Sequence, residues 1–113
     1  MHILKKKITI DELRTVAAPT FGDMVKAVVD VEKELIALDA NLHSDLEALM
    51  IENDSKQKDL WGINFYPDAE GEDFIEFDSM INLRPSQGNR SRGVDDKKVQ
   101  QRIIQVVNQW VTR

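Results

Sequence analysis

The stretch Asp73-Phe-Ile-Glu-Phe-Asp-Ser-Met-Ile-Asn-Leu-Arg-Pro-Ser-Gln-Gly-Asn-Arg-Ser-Arg-Gly93 divides into an apolar half and a polar half. Its first half predicts the longest strand of the chain. Ile75, Phe77, Ile81 and Leu83 fall on one face, and Glu76, Asp78 and Asn82 on the other. Its second half predicts a polar loop with three arginines, two serines, a Gln and an Asn, closed by Gly93 before a helix. A polar loop anchored between two apolar elements is where a binding site is expected.

Working outward, Leu60 to Tyr66 predicts the partner strand of a hairpin. Trp61, Ile63 and Phe65 share one face, and Pro67 to Glu72 turns the chain. Downstream, Asp95 or Asp96 caps a helix whose apolar face is Val99, Ile103, Val106, Val107 and Trp110. Near the start, Met1 to Lys7 predicts a short edge strand guarded by lysines. Thr9 and Glu12 have capping-box spacing, and Ile8 and Leu13 stand where a hydrophobic staple sits. That helix runs to about Ala18, because Pro19 disfavours helical geometry before it.

Between these lie two segments with mixed periodicity. Met24 to Leu38 fits a helical stripe, but its valines favour a hairpin of Val25–Val31 and Leu35–Leu38. The turn Glu32-Lys33-Glu34 has no Gly or Asn to support that choice. His43 to Asn53 reads equally as a strand or a short amphipathic helix. The fold class is therefore α+β: an antiparallel sheet of four or five strands, with an N-terminal and a C-terminal helix packed on one face.

The chain has 113 residues, the size of one domain, 1–113. Without cysteine it has no disulfides, thiolate metal sites or cysteine nucleophile. The basic start never develops a signal-peptide apolar run, and no stretch approaches a membrane span, so a soluble cytoplasmic protein with no membrane partner is expected. Net charge is −5, yet residues 84–113 hold seven Lys/Arg against two Asp/Glu. That asymmetry suits an anionic small molecule or an acidic protein surface, whereas the acidic whole makes broad nucleic-acid coating unlikely.

The expected ligand-binding set is Arg84, Ser86, Asn89, Arg90 and Arg92. Arginine forks match phosphate or carboxylate oxygens two at a time, and Gly88 and Gly93 let backbone approach a ligand. The resulting function is a non-enzymatic binding module for a phosphate-bearing ligand or acidic partner. One alternative is a small metal-assisted hydrolase or nuclease using His43, Asp45 and Glu47; on a strand all three share a face, on a helix only His43 and Glu47 do. Another is a protein–protein interaction partner, and exposed sheet edges leave a homodimer open. No cofactor motif is present. Asp30, Glu76 and Asp78 are candidate paired carboxylates, and Trp61 and Tyr66, next to Asn64, are candidates to stack on a base.

The words Leu60-Trp-Gly-Ile-Asn-Phe-Tyr-Pro67, Phe77 through Arg92, and Leu42-His-Ser-Asp-Leu-Glu47 resemble a family of short prokaryotic proteins known as domain of unknown function 5674. The resemblance covers nearly the whole chain. It implies a stand-alone domain and carries over no established activity and no catalytic residues. The family pattern has glycines near Glu34 and Asp39-Ala40, where this sequence has none.

Overall fold

The computed structural model describes residues 1–113. Its centre is strand β3, Val25–Asp30, buried along almost its whole length. A β-branched run of this kind suits a strand covered on both faces. It pairs antiparallel with β4, Leu35–Leu38, on one side and with β5, Leu60–Phe65, on the other. At the edges lie β1, His2–Ile3, against β4, and β6, Ile75–Glu76, against β5. The five-stranded antiparallel sheet thus has the order β1-β4-β3-β5-β6.

The 25–38 hairpin forms without a turn glycine because Asp30 builds the turn. Its buried carboxylate accepts from the Glu32 and Lys33 amides, both at 2.9 Å, and from Ser55 Oγ at 2.6 Å. Glu34 then takes a left-handed conformation at φ 57°, and Asp39 does so at φ 74°. These are the two places where the resemblance noted above implies glycine.

One sheet face carries the larger core. Val25, Ala27, Val29, Ile36, Trp61, Ile63 and Phe65 meet Leu13 and Ala17 of α1, Ile10–Ala17, and Ile103, Val106 and Val107 of α3, Lys97–Trp110. The two terminal helices therefore cover this face. Helix α1 starts at the expected capping box, with Thr9 Oγ1 accepting from Glu12 N–H and Glu12 accepting from Thr9 N–H, each at 3.1 Å. Asp96 caps α3. A short parallel pair, β2 (Ile8–Thr9) with β7 (Val111–Thr112), joins the two ends of the chain and lies outside the sequence expectation.

The opposite face is also covered. His43–Glu52 is a helix, α2, because His43, Leu46 and Met50 recur at helical spacing. Leu46 and Met50 pack on Val28, Ala37 and Leu60 in a second, smaller core. No helix is long and apolar enough to cross a membrane.

The long strand expected from Ile75 to Leu83 is not formed. Regular pairing stops at Glu76; turns of 3-10 helix follow at Met80–Asn82 and Pro85–Gln87. Side chains supply the bonds that a longer β6 would have given to β5. The Asn82 amide donates to Gly62 O at 2.9 Å and accepts from Gly62 N–H at 2.8 Å. Arg84 donates to Leu60 O at 2.8 Å. The expected single apolar face is consequently split: Phe77 packs with the larger core, Ile81 with the smaller, and Leu83 is exposed.

Candidate functional site

A cleft of about 440 Å³ opens on the α2 side of the sheet. Its floor is a row across three strands, because Lys26 of β3 stands opposite Asn64 of β5, and Asn64 opposite Glu76 of β6. Strand alternation puts all three side chains on one face. The N-terminus of α2, with Leu42, His43 and Ser44, forms one wall; Asp78 to Ile81 and Arg92 form others.

Asn64 is buried, and its orientation is fixed. Its Nδ2 donates to Glu76 Oε1 at 2.8 Å and to the Asp78 carbonyl at 3.3 Å, so reversing the amide would set oxygen against oxygen. Its Oδ1 then has no hydrogen-bond partner. Leaving a buried acceptor unpaired costs roughly 1–3 kcal/mol. Tyr66 adds a donor to Glu76 Oε1 at 3.2 Å, and burial, with the Glu76 charge, raises the phenol's pKa above its ordinary value.

His43 lies over the β5 backbone and donates through Nε2–H to the Ile63 carbonyl at 2.8 Å. In the neutral ring this places the lone pair on Nδ1. Burial pushes its pKa below the ordinary histidine value, and the charge of Lys26 acts in the same direction. The Asn64 amide lies against this ring, but no hydrogen bond of good geometry joins the two. Gly62 makes the stacking possible. A Cβ there would sit 2.5 Å from Ser79 Cβ and 3.2 Å from His43 Cδ2. Ser79 Oγ accepts from Ile81 N–H and makes no hydrogen bond to His43.

Charge in the cleft is balanced but unevenly engaged. Arg92 pairs with Asp78 through Nε at 2.9 Å. Lys26 has no carboxylate partner; its ammonium lies 5.2 Å from the centre of the Phe21 ring. The N-cap position of α2 is Leu42, which cannot cap with its side chain, so the first-turn amides of His43 and Ser44 lack acceptors. Asp45 lies in that first turn, exposed, without capping it.

The five residues expected to bind an anion do not converge. Arg84 is used internally: it donates to the carbonyls of Gln57 and Leu60 and stacks 4.2 Å from the centre of the Trp61 ring. Its burial lowers its pKa, an effect opposed by Glu47 and Asp59. Asn89 is buried and ties the loop together, donating to Asn82 O, Ser91 O and Gly93 O while accepting from Asp95 N–H. The Arg90 backbone and the Ser91 hydroxyl are held by Asp95, whose pKa falls through those bonds. The side chains of Ser86 and Arg90 project into solvent, and only Arg92 reaches the cleft.

His43, Asp45 and Glu47 separate in the same way. On α2 His43 points at β5, Asp45 is exposed, and the Glu47 carboxylate lies near Arg84; no three His, Asp or Glu side chains gather as metal ligands. Asp30 stands beside Leu60 at the far end of β5 from Glu76, so the expected carboxylate group reduces to Glu76 and Asp78. Trp61 belongs to the larger core, on the face away from Asn64. Sequence reasoning missed Lys26 and Ser44. For Lys26 the available signal was a lysine set among the valines and alanine of β3; Ser44 carried none.

The chain matches the family described as Protein of unknown function (DUF5674) over residues 2–110. It belongs to that family. No curated protein and no solved structure matches the chain. The stretches Leu42–Glu47, Leu60–Pro67 and Phe77–Arg92 contribute most of the cleft lining, with Met24, Lys26 and Glu76 added from outside them.

Proposed function

We propose that this protein is a non-catalytic binding module whose cleft holds a small anion-bearing ligand. The observation that carries this reading is Lys26. It is an ammonium without a carboxylate partner, on the floor of a cleft bordered by the uncapped start of α2. Free first-turn amides and the helix dipole both favour negative charge there. Arg92 adds guanidinium nitrogens beyond the one bonded to Asp78. The ligand anion is thus moved from the crest of the Arg84–Arg92 loop into the cleft, since Arg84 and Asn89 are engaged internally. The geometry around His43 and Ser79 supports binding over hydrolysis, because no base faces a nucleophile.

The test is an amide-resolved NMR titration with inorganic phosphate and with butyrate. The expected result is saturable shifts at Lys26, His43 and Ser44 that Lys26→Met abolishes and that weaken with salt. Shifts confined to Arg84–Arg90 would return the ligand to the loop crest. Shifts nowhere would end the anion reading.

A further inference from the structure

We propose that the ligand is a dipolar small molecule, carrying a carboxylate at one end and an ammonium at the other. This rests on the cleft reading above and extends it. The floor of the cleft is graded in charge: cationic Lys26, neutral Asn64 and anionic Glu76 stand in register on three adjacent strands. Two strand spacings separate the end residues, roughly 10 Å between backbones. Of the anion-favouring features, Lys26 and the start of α2 meet at His43, whose ring feels the lysine charge, while the Arg92 guanidinium is held beside Asp78. The acceptors lie further along the row. Asn64 separates the two ends: its Nδ2 is bonded to Glu76 and the Asp78 carbonyl, and its buried Oδ1 lies against the His43 ring. Glu76 places a full negative charge next to it, held by Tyr66 and Asn64 through one oxygen, with its other oxygen forming no hydrogen bond.

A simple anion would satisfy Lys26 and the helix amides but would bring negative charge towards Glu76 and Asp78. A simple cation would satisfy the acceptors and face Lys26. A molecule with both groups answers each wall. Exposed Leu42 and Met80 flank the mouth and offer apolar surface to a methylene linker. The linker length is set by the span, so a short series of amino acids brackets it.

The experiment compares, on the intact chain, butyrate, butylammonium, glycine, γ-aminobutyrate and ε-aminocaproate by the same NMR titration. The best amino acid of the series is expected to bind roughly tenfold tighter than butyrate, a difference worth about 1.4 kcal/mol. Glu76→Gln should narrow that ratio to about threefold or less, because the shape of the floor is kept while its charge is lost. Glu76→Gln should leave the dispersion of core amides unchanged; if it does not, Glu76→Asp, with the carboxylate withdrawn by one methylene, should narrow the same ratio. Equal binding of butyrate and every amino acid, or a ratio that survives both substitutions, overturns the dipolar ligand and leaves the anion site standing. Butylammonium binding as tightly as the best amino acid overturns both, as does a cleft that responds to none of the five.

Discussion

Gly62 is the residue on which the cleft depends, and Gly62→Ala is the sharpest test of how it is assembled. In an ordinary strand this substitution gains a few tenths to ~1 kcal/mol by restricting the unfolded chain. Here the sign should reverse. The added methyl would meet Ser79 Cβ at 2.5 Å and Ser79 Oγ at 2.6 Å, when carbon atoms pack at about 3.5–4.0 Å. Ser79 Cβ is not a flexible end. Its backbone N–H donates to Arg92 O at 2.9 Å, so the whole 79–92 segment must lift. Overpacking of this kind costs about 1–3 kcal/mol. Lifting the segment also strains the two Asn82–Gly62 bonds, each worth about 1 kcal/mol net. The expected loss is therefore roughly 4 kcal/mol, which for a domain this size lowers Tm by about 15 °C. Urea melts of Gly62→Ala, Ser79→Gly, Ser79→Ala and the two doubles measure it. Ser79→Gly removes the blocking carbon and should show a coupling of at least ~2 kcal/mol with Gly62→Ala. Ser79→Ala keeps that carbon and should couple by less than about 1 kcal/mol. A Gly62→Ala protein as stable as the parent, or equal coupling in both doubles, would refute the stacking of Ser79 on Gly62.

Thr9→Ala removes the acceptor for the Glu12 amide and should cost about 1 kcal/mol in a denaturant melt; an unchanged midpoint means the cap is not formed in solution. Glu34→Gly should raise stability by about 0.5–1 kcal/mol, since φ 57° costs a residue with a Cβ more than the exposed Gln109 contact returns; a lower midpoint would contradict this. Stability should fall as pH drops below about 6.5, the ordinary histidine value, because the unfolded chain then takes a proton that buried His43 resists. The loss continues down to the lowered pKa of the folded state, and His43→Gln should flatten this part of the profile; identical profiles would show that His43 titrates normally.

Local signals fixed those parts of the fold whose physics is local. The Thr9–Glu12 box, Pro19 and the apolar stripe of α3 each act within a few residues, so the terminal helices were legible as written. Valine content correctly favoured the 25–38 hairpin, although its turn is made by Asp30, a residue that looks like any strand-end acid until Ser55 folds against it. The α2 segment stayed ambiguous because helix and strand bury overlapping sets of its few apolar residues. What decided it was the second sheet face, where Val28, Ala37 and Leu60 need the stripe Leu46 and Met50 supply. The stretch 73–93 misled for a related reason. Alternation predicts pairing only while backbone bonds are the best available, and here the Asn82 amide and the Arg84 guanidinium serve the β5 edge instead. The same long-range bonds took Arg84 and Asn89 out of the anticipated site. They left the cleft to Lys26, Asn64 and Glu76, which stand 38 and 12 residues apart in the chain and become neighbours only through strand register.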